Sequence, residues 1–151
     1  MSTVVIYGGA GFIGSALSNM LTEQHSFSRV IAIGRSPKPK FSLNTHIQYI
    51  QGDASDSSFV FETLANADAV VDLSYSTVPK TSYDNPILEV TLNLPASINI
   101  MQQCMRRGIQ RYLLVSSGGT VYGHSTASII TENHPTNPIS PYGISKLMME
   151  K

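Results

Sequence analysis

Short runs of consecutive apolar residues alternate along this chain with longer stretches in which apolar residues recur every three or four positions. The first pattern marks strands buried on both faces, and the second marks helices with one covered side. Residues 4–7, 29–33, 47–50, 69–73 and 111–116 read as strands, with helices over 12–21, 57–65 and 87–106 between them. A last helix begins near Tyr142 and is still running at Lys151. Pro95 interrupts the long helical pattern; lacking an N–H and crowding the preceding turn, it predicts a kink or a late helix start. Leu88, Leu92, Met101 and Cys104 are the expected buried positions of that helix, and Ile98, Met148 and Met149 read as further core. The stretch through Ser82 and the one running to Pro141 read as loops.

Strands that alternate with helices, and that lack the in-out alternation of a half-exposed sheet, predict an α/β fold with a parallel sheet covered on both faces. The expected arrangement is a doubly wound, Rossmann-type sheet of strand order 3-2-1-4-5, with ligands at its C-terminal edge where the order reverses. No repeat, low-complexity tract or linker divides the chain, so residues 1–151 read as one dinucleotide-binding domain. The final helix has no glycine stop and no polar tail. It reads as cut inside an element, before the last strand and the substrate-binding region.

Composition narrows the partners. Ten basic residues balance ten acidic ones, so nothing global attracts nucleic acid or an anionic membrane. Cys104 is the only cysteine, which excludes an intramolecular disulfide and fits a reducing compartment. No apolar run approaches about 18 residues and no basic leader precedes the first strand, so a soluble, cytoplasmic protein is expected.

The joint between the first strand and first helix is Gly-Gly-Ala-Gly-Phe-Ile-Gly, in which Gly8, Gly11 and Gly14 give the spacing G-x-x-G-x-x-G. In a phosphate-holding turn the first glycine permits the tight bend, the second lets backbone approach phosphate, and the third lets helix pack on strand. A pyrophosphate there meets the N–H groups and positive dipole of a helix N-terminus. Tyr142 and Lys146, spaced i and i+4, share one face of the last helix. An ammonium near a phenol favours the phenolate, lowers its pKa and suits it to act as a general base. His25, His46, His124 and His134 show no ligand spacing, so no metal site is expected.

With these motifs together the chain resembles the N-terminal part of an extended short-chain dehydrogenase/reductase of the NAD-dependent epimerase/dehydratase family. The matching stretches are the glycine turn, Gly-Asp at 52–53, Asp-Ala-Val-Val-Asp-Leu at 68–73, Asn93, Ser-Ser-Gly-Gly-Thr-Val-Tyr-Gly at 116–123 and Ser-Pro-Tyr-Gly-Ile-Ser-Lys at 140–146. The resemblance implies that Gly8, Gly11, Phe12, Ile13 and Gly14 hold the pyrophosphate and that Asp53, with Ala54 beside it, meets the adenine. Leu73, Ser74, Tyr75 and Ser116 would line the dinucleotide. Asn93 would belong to the cofactor site by tying the fourth helix to the central strands, or else be a helix-surface amide. Tyr142 matches the catalytic base and Lys146 the residue that binds ribose and tunes it. The family's usual catalytic Ser or Thr falls on Gly118; Ser117 is the first substitute and Thr120 the second, with strand-end capping as the alternative for Ser117.

The implied reaction is a transient oxidation of a nucleotide sugar with NAD(P), giving an epimerase of the UDP-glucose 4-epimerase type. An NADP-dependent ketoreductase and a non-catalytic dinucleotide-binding module are the alternatives. Dehydratases of the family need a carboxylic acid pair after the catalytic Thr, where this chain has Gly119 and Thr120. Gly34 stands where NAD-specific members carry an acidic residue, followed by Arg35 with Ser36, Lys38 and Lys40 nearby, which predicts that NADP binds at least as well as NAD. The family runs to roughly twice this length, consistent with two lobes. A homodimeric parent is expected. The 151-residue chain alone is expected to bind dinucleotide weakly and to turn over no UDP-sugar.

Overall fold

In the computed structural model, which describes residues 2–151, the strands form one sheet of order β3-β2-β1-β4-β5, every pair parallel. The strands are β1 (Thr3–Tyr7), β2 (Arg29–Gly34), β3 (Gln48–Gln51), β4 (Ala69–Asp72) and β5 (Tyr112–Leu114). The chain winds outward from β1 through β2 to β3 and then returns to the other side of β1 for β4 and β5, so the order reverses between β1 and β4.

Helices on both faces explain the continuous apolar strands. On one face Val4, Ile6, Val30, Ala32 and Val71 pack with Leu17 and Leu21 of α1 (Phe12–Glu23). On the other, Val5, Tyr7, Ile31, Ile33 and Val70 pack with Val60 of α2 (Ser57–Thr63), Leu64, and Ile100 and Cys104 of α4 (Leu94–Arg107). Full burial of such a side chain contributes roughly 1.5–3 kcal/mol, so a one-residue slip of register would change the face of every one.

The described chain divides into two compact units. The first runs to Tyr75 and resumes over Ala96–Val115, and it contains the whole sheet. The second comprises Ser76–Pro95 and Ser116–Lys151. It contains α3 (Pro79–Asp84), a π-helical turn (Glu89–Asn93), α5 (Gly118–Val121) and α6 (Pro141–Glu150).

The sequence reading misses α3 and α5, which are too short to show a helical period. Pro95 does not delay the helix: the backbone is helical without a break over residues 87–107, and a π-turn over Glu89–Asn93 precedes the proline. A proline cannot donate to the Thr91 carbonyl, and the chain answers with the π-turn, in which the Leu94 N–H reaches Glu89 instead. A residue added to a helical turn rotates the downstream residues by about 100°, so the apolar stripe before Pro95 does not continue after it. Leu88, Leu92 and Met101 are accordingly only half-buried, and Ile98, expected in the core, is 42% exposed. Glu89, Asn93, Leu94, Ala96, Ser97, Asn99, Ile100, Gln103 and Cys104 occupy the buried positions. Met149 is buried as expected, whereas Met148 faces out. Among the described residues no helix is long and apolar enough to cross a membrane.

Candidate functional site

In the first unit β1 runs directly into the glycine turn. Gly8 has φ of +77°, and a Cβ there would lie 2.3 Å from the Leu73 carbonyl oxygen, so the turn and the end of β4 touch at a position open only to glycine. Leu73 N–H donates to the Tyr7 carbonyl at 2.8 Å, and Gly8 N–H donates to that of Ile33 at 2.9 Å. A Cβ on Gly14 would lie 2.1 Å from the Gly8 carbonyl oxygen, which fixes the first turn of α1 against the strand end. Gly11 meets only that same oxygen, at 3.2 Å. No side chain caps the first turn of α1, and Phe12 and Ile13 are exposed, so they present backbone rather than core side chains. A turn packed so tightly that its first and last glycines admit no Cβ, with Gly11 nearly open at an uncapped helix N-terminus, fits a pyrophosphate.

The other expected cofactor residues of this unit follow the C-terminal ends of strands. Arg35 is exposed just after β2, and its carbonyl accepts from Gln51 Nε2 at 3.2 Å. Asp53 accepts from the N–H and hydroxyl of Ser55 at 2.9 and 2.8 Å. Those bonds, the N–H first, and the nearby Arg35 charge hold its carboxyl below the ordinary value against a smaller opposing effect of burial. The Ala54 carbonyl accepts from Asn99 Nδ2 of α4 at 2.7 Å, and Asn99 Oδ1 accepts from Ser57 and Gln103. Leu73, Ser74 and Tyr75 are half-buried beyond β4.

Asp72, absent from the sequence-derived set, organises this edge. It is 3% exposed and accepts from Ser74 N–H (2.9 Å), Ser74 Oγ (2.6 Å), Ser97 Oγ (2.6 Å) and Tyr112 OH (3.1 Å). Burial, and then the Asp72 charge, pushes the Tyr112 phenol well up and the Cys104 thiol up to about 11. Burial likewise raises Tyr7, despite an opposing hydrogen bond with Thr63. Groups held protonated by the fold stabilise it fully below their unfolded pKa and lose that share as pH rises toward the folded value. Stability is therefore expected to fall by roughly 1 kcal/mol per pH unit above about pH 9, where Cys104 begins to titrate in the unfolded chain, and more steeply above about pH 10. Urea midpoints across this range check it. Cys104→Ala should remove the loss between about pH 9 and 10, and an unchanged slope there would contradict the assignment.

The second unit holds the tyrosine and lysine. Ser140 caps α6 by accepting from the Gly143 N–H at 3.0 Å, and the Tyr142 N–H donates to Ser82 Oγ of α3 at 2.8 Å. The Ser-Pro start thus places Tyr142 in the first turn, half-buried, with Lys146 one turn later and 4% exposed. Lys146 Nζ lies 5.7 Å from the centroid of the Tyr142 ring. Ser117 lies near enough to the Tyr142 phenol to lower its pKa, while Thr120 Oγ1 donates to the Ser117 carbonyl at 3.2 Å. Ser117 precedes α5 without capping it through its side chain, and the space where a Cβ of Gly118 would stand is open. Ser116 donates its hydroxyl to Glu150.

The phenol departs from the expectation based on Lys146. Burial raises the Tyr142 pKa above its ordinary value; the nearby Ser117 side chain works against this, and the Glu89 charge adds to it. Asn93 is 2% exposed, so it is no helix-surface amide. Its Oδ1 accepts from Ser76 N–H and Oγ, and its Nδ2 donates to Thr77 Oγ1 and Glu89 Oε2. These bonds engage both amide atoms in holding the π-turn to the loop after Tyr75. Glu89 also escapes the sequence reading, although its i, i+4 spacing to Asn93 is visible there. Among the described residues no group of three His, Cys, Asp or Glu side chains could hold a metal ion.

The UDP-glucose 4-epimerase of Lactobacillus helveticus is 34% identical to this chain over 151 residues, 98% of this chain and 45% of its own length. A dTDP-glucose 4,6-dehydratase of Mycobacterium tuberculosis is 28% identical, matching 95% of this chain and 45% of its own length. Among solved structures, the UDP-glucose 4-epimerase of Thermus thermophilus in complex with NAD matches with a TM-score of 0.88 at 26% identity, covering 98% of this chain and 48% of that one. The chain thus spans about half the length of the relatives it matches. A family description, NAD dependent epimerase/dehydratase, fits residues 4–151, a span that takes in the glycine turn, Asp72 and the Tyr142–Lys146 pair. The chain belongs to the NAD dependent epimerase/dehydratase family.

Proposed function

We propose that this chain supplies the dinucleotide-binding part and the general base of a nucleotide-sugar epimerase of the UDP-glucose 4-epimerase type. The observation that carries this reading is the Tyr142–Lys146 pair, with Lys146 buried one turn further on and its Nζ 5.7 Å from the centroid of the phenol ring. A merely cofactor-sensing module has no use for that arrangement. The Gly8–Gly14 turn would hold the pyrophosphate, with Asp53 and Ala54 at the adenine and Leu73, Ser74 and Tyr75 along the dinucleotide. A bound nicotinamide would take hydride from the sugar carbon and return it. Tyr142 accepts the proton of the sugar hydroxyl, Ser117 hydrogen-bonds the same oxygen, and Lys146 binds ribose hydroxyls while favouring the phenolate. The raised phenol of Tyr142 makes the cationic charges of Lys146 and the cofactor necessary for function near neutral pH. With only Gly-Gly-Thr-Val in α5, no side chain there can both take and give the protons of a dehydration.

The Ser117 assignment is tested by turnover of UDP-glucose in the protein that carries this chain. Ser117→Ala is expected to lower kcat by at least about tenfold, and Thr120→Val to leave it within about twofold. Adding Gly118→Ser to Ser117→Ala should restore part of the rate, since the Gly118 position has room for the side chain. A larger loss in Thr120→Val than in Ser117→Ala would reverse the assignment.

A second reading, an NADP-dependent sugar ketoreductase, is supported by the exposed Arg35 after β2 in place of an acidic residue. A guanidinium there suits a 2′-phosphate. Arg35→Ala is expected to weaken NADP binding about tenfold while leaving NAD within about twofold, as measured by titration. A strong preference for NAD in the unaltered chain, or equal losses for both dinucleotides, would contradict it.

A further inference from the structure

Glu89 is the most deeply buried carboxylate of the second unit, 2% exposed, and it lies in the π-turn, outside the motifs that the sequence analysis singled out. Its two oxygens collect donors from three separate segments. Thr77 Oγ1 donates to Oε1 at 2.5 Å, from the loop before α3. Asn93 Nδ2 donates to Oε2 at 3.2 Å from the end of the π-turn itself. Ser145 Oγ donates to Oε2 at 2.7 Å, from the α6 turn between Tyr142 and Lys146. A buried ionised carboxylate is costly unless satisfied in this way, and once satisfied it resists the movement of any donor.

We propose that Glu89 is a positioning residue of the Tyr142–Lys146 centre, clamping α6 through Ser145 to the π-turn and to the Ser76–Thr77 loop. The role as a positioning residue rests on the reading of Tyr142 as the base; the clamp itself does not. Ser145 lies on the buried side of α6 with Gly143, Lys146 and Met149, so holding its hydroxyl sets the rotation of the helix about its axis. That rotation decides where the Tyr142 and Lys146 side chains lie. The π-turn, in turn, is what brings Glu89 inward together with Asn93.

The Glu89 charge has a second effect, because it opposes formation of a phenolate on Tyr142. The other ionisable groups on the packed elements are Lys146 and the exposed Glu150 on α6 itself and Lys80, Tyr83 and Asp84 of α3, all three exposed; α5 carries none. Glutamine can keep the clamp without the charge. Its carbonyl oxygen accepts from Ser145 and Asn93, and its amide donates to Thr77 Oγ1, which gives up its donation and accepts a second bond beside that from Asn93.

The test compares three variants by amide hydrogen exchange over residues 142–150 and by the pH profile of turnover. Glu89→Ala and Ser145→Ala are expected to speed exchange in α6 by about tenfold or more while leaving the sheet protected. Glu89→Gln should keep α6 protected and move the acid limb of the profile down by about one pH unit, since loss of a neighbouring negative charge lowers the phenol pKa. If Glu89→Ala does not fold, Ser145→Ala decides, because it leaves Glu89 bonded to Thr77 and Asn93. Unchanged α6 exchange in Ser145→Ala, or an acid limb that stays in place in Glu89→Gln, would overturn the proposal. Full turnover in Tyr142→Phe would instead remove the base assignment and leave the exchange result standing.

Discussion

Replacing Tyr142 by Phe is expected to lower turnover of UDP-glucose by about 10²–10⁴-fold, the range over which a positioned general base contributes. The substitution removes one oxygen from a half-buried ring. It leaves the backbone bond from Tyr142 to Ser82, the Ser140 cap and the clamp at Ser145 in place, so α6 should keep its position. Dinucleotide affinity is therefore expected to stay within a fewfold, because the proposed pyrophosphate cradle belongs to the glycine turn. Steady-state rates and dinucleotide titration of the same preparation separate the two quantities. A loss of turnover matched by an equal loss of cofactor binding would mean that the phenol serves binding and not proton transfer.

Gly14→Ala is expected to reduce dinucleotide affinity by about 100-fold or more and to destabilise the fold by about 1–3 kcal/mol. The added methyl would stand 2.1 Å from the Gly8 carbonyl oxygen and 2.7 Å from the Gly9 Cα, both backbone atoms that no rotamer change can move. The first turn of α1 would have to withdraw from the end of β1, taking its N–H groups away from the phosphate. Gly11→Ala supplies the contrast. Its Cβ would meet only the Gly8 carbonyl oxygen at 3.2 Å, so its effect should appear in ligand binding with little change in stability. Urea unfolding and NAD titration of both variants measure this. Binding by Gly14→Ala within about threefold of the parent would show that the turn does not work as a rigid cradle.

These two sites differ in how far the sequence revealed them. The glycine turn, the strand order and the Tyr142–Lys146 spacing are local patterns: a strand run, a helical period and a fixed interval each leave their mark within about ten residues. Asp72, Glu89 and Asn99 leave no such mark, because what makes them matter is long-range. Asp72 gathers Ser97 and Tyr112 from elements far along the chain, and Asn99 reaches back to Ala54. The available signs were an acidic residue closing the apolar run Ala-Val-Val-Asp and the i, i+4 spacing of Glu89 and Asn93. The long helix was found, but its buried face was misread for a related reason. A single period was laid across Pro95, whereas the π-turn shifts the phase there and turns Glu89 and Asn93 inward. The Tyr142 phenol shows the same limit: the i+4 lysine is visible in sequence, but the burial and the Glu89 charge that raise its pKa are not.

The most direct test of the proposed transient oxidation tracks the hydrogen on the sugar carbon. The protein carrying this chain is incubated with UDP-glucose deuterated at C4, and the UDP-galactose formed is analysed for label. Removal and return of hydride through a bound nicotinamide predicts that the deuterium is retained at C4 of the product. Loss of the label to solvent, or formation of a 4-keto-6-deoxy sugar in place of UDP-galactose, would contradict it.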